Sequence, residues 1–287
     1  MKLVTYSDGS KTKIGVVKDE SLIDLNRHLP ELPGDMIGLM AEWARARPRI
    51  QTLVETSPVA APLTSVRLLA PIPRPGKILA IGLNYADHIK ESGQPTPEHQ
   101  TWFSKAVTSV TGPFDPIELP RASKLIDYEA ELVVIIGNRC KHVPKERAAE
   151  VVFGYCAGND VSVRDWQMRT TQWVLGKSFD THAPFGPWIV TPDELGDPHT
   201  LGIRCLVNGE LRQNSNTKNL VFNVFDQIAT LTEALTLEPG DVIFTGTPGG
   251  VGAAMNPRVW LKDGDKVRVE IDRIGAIEAT MRPEAMR

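Results

Sequence analysis

Short apolar runs, each closed by Gly, Pro, Asn or Asp, recur along the chain and set its predicted architecture. Residues 1–24 alternate the β-like segments KLVTYS, TKIGVV and SLIDL around a turn at Asp8-Gly9, which predicts a small antiparallel meander. Residues 35–54 carry one or two short helices interrupted at Pro48. The stretch 56–76, TSPVAAPLTSVRLLAPIPRPG, holds too much proline for a long helix or a central strand. A boundary is therefore placed near residue 70, between a small N-terminal domain (1–70) and a larger one (71–287). Beyond it the strand-like segments are KILAIGL, ELVVIIG, CLVNGELR, DVIFTGT and KVRVEID. Helical spacing is confined to Ala86–Ser92, 144–153 and Val221–Leu235. With no regular alternation of strand and helix, a Rossmann or TIM layout is excluded in favour of a mostly β, mixed core of twisted or rolled sheets.

Composition narrows the function. The 287 residues are 41% hydrophobic and 23% charged, with a net charge of −3, which leaves no electrostatic footprint for nucleic acid or an anionic membrane. No apolar run approaches the ~20 residues of a membrane span, and the first residues lack the pattern of a secretory or transit segment. Cys140, Cys156 and Cys205 are scattered, without C-x-x-C spacing, which suits a reducing compartment and no cysteine-ligated zinc. The expected location is the cytoplasm.

Several familiar motifs fail. There is no G-x-S-x-G elbow and no H-E-x-x-H, LGKS has Thr171 where a phosphate loop needs Gly, and GTPGGVG lacks the P-loop lysine. What remains is oxygen-ligand metal chemistry. Glu129 and Glu131 lie two apart, on the strand face continued by Val133 and Ile135. Two inward carboxylates repel each other unless a proton or a cation compensates, and Mg²⁺ or Mn²⁺ prefers oxygen ligands. The alternative is a strand end whose acids lean into solvent. Asp160, closing the run VVFGYCAGND, is either a third ligand or a turn residue. His88 and Glu91, three apart in NYADHIKES, form a general-base pair or an exposed ion pair if the segment is helical. Lys177 holds an oxyanion or is merely solvated, and His182 is assigned to structure.

These pieces join in the ordered series IGLNYADHIKES, VTGPFDPIELP, DYEAELVVIIG, AGNDVSVRDWQ, LGKSFDTHAPFGPW, LEPGDVIFTGTPGGVG and GDKVRVEI. The series resembles the fumarylacetoacetate hydrolase family over about residues 72–275, closest to its domain-containing and acylpyruvase-like branch. The resemblance implies a mixed β-sandwich roll with a small N-terminal α/β domain, usually dimeric, with Mg²⁺ or Mn²⁺ in its cleft. Carried over, the metal ligands fall on Glu129, Glu131 and Asp160, and the His–Glu dyad on His88 and Glu91 in a lid segment. The catalytic lysine falls on Lys177, and substrate contacts on Gln167, Thr247, Asn84, Tyr85 and Arg164. Trp102, Phe103 and Trp173 are candidates for an acyl pocket.

The implied activity is hydrolysis of a C–C bond in a 2,4-dioxo acid, such as an acylpyruvate or fumarylpyruvate, with the ion stabilising the departing pyruvate enolate. The same enolate serves oxaloacetate decarboxylation or tautomerisation, and isomerase, hydratase or lyase chemistry on related 2-oxo acids. A non-catalytic binding module would have lost an acid ligand or the dyad, and neither is missing.

Overall fold

The computed structural model describes residues 1–56 and 61–285, so part of the proline-rich stretch, 57–60, lies outside the described residues. Its framework is a twelve-stranded sheet whose central strands run in the order Lys2–Ser7, Ala183–Val190, Val152–Asn159, Ala130–Ile136, Val242–Phe244, Ile78–Gly82, Thr101–Ser104. All of these pairings are antiparallel except Val242–Phe244 with Ile78–Gly82. Lys2–Ser7, Thr12–Lys18 and Ser21–Asp24 form the expected meander, and its first strand pairs with Ala183–Val190. A second sheet of five strands runs Glu210–Asn216, Gly202–Val207, Lys266–Ile271, Gly275–Pro283, Ile117–Leu119.

Ala130–Ile136 shows why this sequence folds as it does. Every residue in it is buried, so both of its faces meet apolar surface. Leu132, Val134 and Ile136 enter the core shared with the five-stranded sheet and the helix Val224–Ala234. Val133 and Ile135 enter the opposite core, with Leu3, Met36 and Ile50 of the N-terminal segment. The β-branched side chains suit a strand buried on both sides. A one-residue slip would exchange the two faces, so its register is tightly specified.

Three local expectations are revised, and one strand is added. The helix break in the N-terminal segment falls at Glu42, between Met36–Ala41 and Trp43–Thr56, and Pro48 sits exposed inside the second helix. Residues 144–153 are not an α-helix: Lys145–Val151 is a 3₁₀ segment that runs straight into the strand Val152–Asn159. CLVNGELR is a hairpin rather than one strand, because Asn208 (φ 54°) and Gly209 (φ 82°) turn the chain. The strand Ala183–Val190 lies centrally despite Pro184 and Pro187, and its pairing with Val152–Asn159 shifts register between Tyr155 and Ala157. Among the described residues no helix is long and apolar enough to cross a membrane.

Candidate active site

Antiparallel pairing of Ala130–Ile136 with Val152–Asn159 sets Glu131 opposite Gly158 and Ala130 opposite Asn159. The next residue, Asp160, donates its N–H to the Glu129 carbonyl at 2.9 Å, so register alone carries the third acid to the first two. Carboxylate oxygens of Glu129, Glu131 and Asp160 lie within 4.8 Å of one another, and all three residues are buried.

Cations partly answer these acids. Lys177 Nζ donates to Glu129 at 2.6 Å and to Asp160 at 2.8 Å, while Lys105, also buried, bonds Asp160 from another side. Arg164 bridges Glu129 at 2.7 Å and Asp127 at 2.8 Å and donates to Gln167 at 2.9 Å. With every group ionised, four buried carboxylates thus face three cations, which leaves one negative charge, while burial pulls the Lys105 amine below its ordinary value. The residual falls on Glu131, which receives a single donor, the Gly246 N–H at 2.7 Å. Burial, and then the charges of Asp160 and Glu129, push its carboxyl well above the usual range. Burial opposes the ionised form of Glu129 too, yet Lys177 and Arg164 outweigh it and hold that carboxyl down at about 2. Burial disfavours the charge on Lys177, but Asp160 and Glu129 more than restore it, and the amine is held above its ordinary value.

This charge pattern fits a divalent cation. Three oxygen donors cluster within reach of one ion, and one of them is left without a counter-charge. A doubly positive ion would turn the residual −1 into +1, which suits an anionic ligand.

Glu129 and Glu131 open into a cavity of about 720 Å³, whose wall includes His88, Glu91, Phe103, Arg164, Gln167, Trp173, Lys177, Thr247, Arg258 and Trp260, while Asp160 lies behind them, fully buried. Ala86–Ser92 is helical as expected, and it brings His88 Nδ1 to 2.8 Å from Glu91 Oε1. The other Glu91 oxygen accepts the Gly250 N–H at 2.7 Å, which ties the dyad to the glycine-rich segment. Gly250 has φ +101°, a conformation that side chains rarely adopt. Thr247 lines the cavity, but its hydroxyl donates to the Ala130 carbonyl and accepts from Gln213. Trp173 and Phe103 stand in the wall with ring centroids 5.5 Å apart, while Trp102 packs against the core and is not part of the wall.

Two predicted substrate contacts are placed elsewhere. Asn84 is fully buried and uses both of its polar ends on backbone, donating to Phe222 and Thr245 carbonyls and accepting the Phe222 N–H. Tyr85 is fully buried in the core, outside the cavity wall. Asn84 thus fixes the chain just ahead of the dyad helix, whereas the buried Tyr85 hydroxyl has no hydrogen-bond partner among the described residues. His182 is structural, as expected: its Nε2 bonds the Glu118 carbonyl at 2.9 Å, and burial pushes its imidazole down to about 3.

Three residues escaped the sequence reading. Lys105 follows a strand and shows no local motif, so only pairing with Ile78–Gly82 reveals it. Asp127 pins the glycine segment through the Gly252 and Ala253 N–H groups as well as Arg164, and its place just before the acid pair was the available hint. Arg258 arrives from a loop far along the chain.

The chain belongs to the fumarylacetoacetate hydrolase family: the model for the fumarylacetoacetate (FAA) hydrolase C-terminal region matches residues 77–282. Among curated relatives, the mitochondrial oxaloacetate tautomerase fahd2 of Xenopus laevis is 44% identical over 96% of this chain and 89% of its own length. The human mitochondrial oxaloacetate tautomerase FAHD2A is 43% identical, covering 89% of this chain and 82% of its own. Among solved structures, maleylpyruvate hydrolase from Sphingobium sp. SYK-6, in complex with manganese(II) and pyruvate, superimposes with a TM-score of 0.85 at 34% identity, covering 99% of this chain and 100% of its own.

Proposed function

We propose that the cavity is the active site of a divalent-metal-dependent enzyme that acts on 2-oxo acids through their enolates, and that its reaction is hydrolytic C–C cleavage of a 2,4-dioxo acid of the acylpyruvate type. The observation that carries this reading is the His88–Glu91 pair, oriented by the Gly250 N–H and lining one cavity with Glu129 and Glu131 of the acid triad. Glu129, Glu131 and Asp160 would hold Mg²⁺ or Mn²⁺, which when bound supplies Lewis-acid polarisation of the 2-oxo group and stabilises enolate charge.

The remaining chemistry belongs to the chain. Glu91 fixes the imidazole through Nδ1 and leaves Nε2 of His88 to take a proton from water. The water oxygen attacks the distal carbonyl carbon. The bond between that carbon and its neighbour breaks, the electron pair passes to the pyruvate fragment as an enolate, and His88 returns the proton there. The products are pyruvate and a carboxylic acid. Lys177 has three protons and uses two on Glu129 and Asp160, which leaves one to steady oxyanion charge in the cavity it lines. Gln167 and Arg164 form a polar wall beside it.

Oxaloacetate tautomerisation is a second reading, favoured by the 44% identity to a relative with that name. Here the same His88 would take a proton from the carbon next to the keto group, breaking a C–H bond, while the proton gained goes to the keto oxygen and no C–C bond is broken. A homodimer is the proposed assembly, to be checked by sedimentation.

Acetylpyruvate and oxaloacetate followed in parallel by NMR, with Mg²⁺ or Mn²⁺ and then with chelator, separate these readings. Metal-dependent release of acetate and pyruvate, abolished by His88→Ala, supports hydrolysis. Accelerated keto–enol exchange of oxaloacetate without cleavage of acetylpyruvate overturns it in favour of tautomerisation. Activity indifferent to chelator overturns the metal site itself.

A further inference from the structure

Each acid of the triad has one oxygen tied to a donor of its own. Glu129 Oε1 meets Arg164 at 2.7 Å, Glu131 Oε2 accepts the Gly246 N–H at 2.7 Å, and Asp160 Oδ1 accepts from Lys105. The second oxygens of Glu129 and Asp160 share the Lys177 amine, at 2.6 and 2.8 Å, and that of Glu131 accepts nothing among the described residues. An oxygen that accepts from Lys177 keeps a second lone pair for an ion. To ligate through both oxygens a carboxylate must turn its whole edge to the ion, and a donor that holds one oxygen elsewhere prevents the turn. The cluster therefore offers one oxygen from each acid rather than two.

The tie on Asp160 is the one that only a side chain outside the cavity supplies. Lys105 is 3% exposed and is not part of the cavity wall, so it acts on Asp160 and not on a substrate. Among the described residues Asp160 is its only carboxylate partner, with the Val161 carbonyl at 3.5 Å as a further acceptor. A buried amine is costly unless it is paired, so a lysine at this position answers Asp160 in particular. Its backbone is fixed as well. Lys105 donates its N–H to the Ile78 carbonyl at 3.0 Å, and the Ala106 N–H bonds the hydroxyl of Ser178, next to Lys177, at 2.9 Å. Two anchored lysines thus take one oxygen of Asp160 each.

We infer that Lys105 is a positioning residue for metal choice: it holds Asp160 to a single ligating oxygen, so that the site takes Mg²⁺ or Mn²⁺ and discriminates against Ca²⁺. Calcium collects about six to eight oxygens and gains from carboxylates that offer both of theirs. Magnesium needs a near-ideal set of about six, keeps several waters, and loses little when each acid gives one oxygen. The inference rests on the metal-site reading above and adds which ion the site refuses and which residue makes it do so.

The test is a competition read from the EPR signal of free Mn²⁺. Chelator-stripped protein is loaded with Mn²⁺ and titrated with MgCl₂ or CaCl₂, for wild type, Lys105→Met and Lys105→Arg. In the wild type Mg²⁺ is expected to displace Mn²⁺ at a concentration about tenfold or more below that of Ca²⁺. Lys105→Met keeps the length of the side chain without its donor and should lower that ratio by about tenfold. Lys105→Arg retains N–H donors and should keep the ratio within about threefold. Loss of a nearby charge, or a loosened fold, moves both ions alike, so the ratio reports the positioning alone. A ratio unchanged in Lys105→Met, or lost as fully in Lys105→Arg, overturns the role of the Lys105 donor. Calcium that displaces Mn²⁺ from the wild type as readily as magnesium overturns the inference even if neither variant folds. Failure of the wild type to bind Mn²⁺ overturns the metal site itself, and this inference with it.

Discussion

Replacing Glu131 by Gln should stabilise the metal-free protein and at the same time abolish its response to a divalent ion. Glu131 is 1% exposed, accepts one backbone hydrogen bond, and lies within 4.8 Å of two other carboxylates. Its folded-state pKa is raised above the ordinary 4.5, so the folded chain binds a proton more tightly than the unfolded one. Stability from this group is therefore complete below about 4.5 and declines as pH rises towards the folded value, by up to about 1.4 kcal/mol per pH unit. Between pH 5.5 and 7.5 that amounts to at most about 2.7 kcal/mol, or roughly 4–5 °C in Tm for a chain of this size. Glutamine removes the titration and offers an N–H to the neighbouring acids. An ion at 100 times its Kd restores about 2.7 kcal/mol to the wild type by linkage, and the variant forfeits most of it. Scanning calorimetry in chelator at pH 5.5 and 7.5, repeated with Mn²⁺, reads both effects. A variant that melts below wild type in chelator at pH 7.5, or that keeps the full Mn²⁺ shift, would refute the reasoning.

Asp127→Ala strips a charge partner from largely buried Arg164 and the acceptor from the Gly252 and Ala253 N–H groups; a loss of about 3 kcal/mol in urea unfolding is expected, and under about 1 kcal/mol would contradict it. His182 titrates near 3 in the fold against an ordinary 6.5, so the stability it lends above 6.5 is lost as pH falls from there towards 3. His182→Gln should flatten that acid limb in urea unfolding at pH 4, 5 and 7, and an unchanged slope would assign the acid sensitivity to other groups. Gly82→Ala places a methyl group against the Trp173 ring, so tryptophan fluorescence should shift and kcat/KM fall by about tenfold or more, while the Mn²⁺ melting response stays intact. Unaltered kinetics would remove Trp173 from the substrate wall.

Much of the strand framework was legible because its signals are local. Ile78–Gly82, Ala130–Ile136 and Lys266–Ile271 announce themselves by β-branched runs between turn residues. Ala183–Val190 did not, because prolines argue against a central strand, and only its irregular pairing accommodates them. The His88–Glu91 contact was legible for the same local reason: three residues apart on one helical turn are neighbours whatever the rest of the chain does.

By itself, then, the sequence determined the strand-rich class, the shared strand face of Glu129 and Glu131 and the contact between His88 and Glu91, all set by interactions between residues a few positions apart. Tertiary structure decided the rest. Antiparallel register brought Asp160 to Glu129, packing delivered Lys105 and Lys177 to the same acids, and the Asn84 amide was spent on backbone rather than left for a ligand. Such meetings depend on which face of each strand is buried and against what, and that is settled only when both cores close on the central strand.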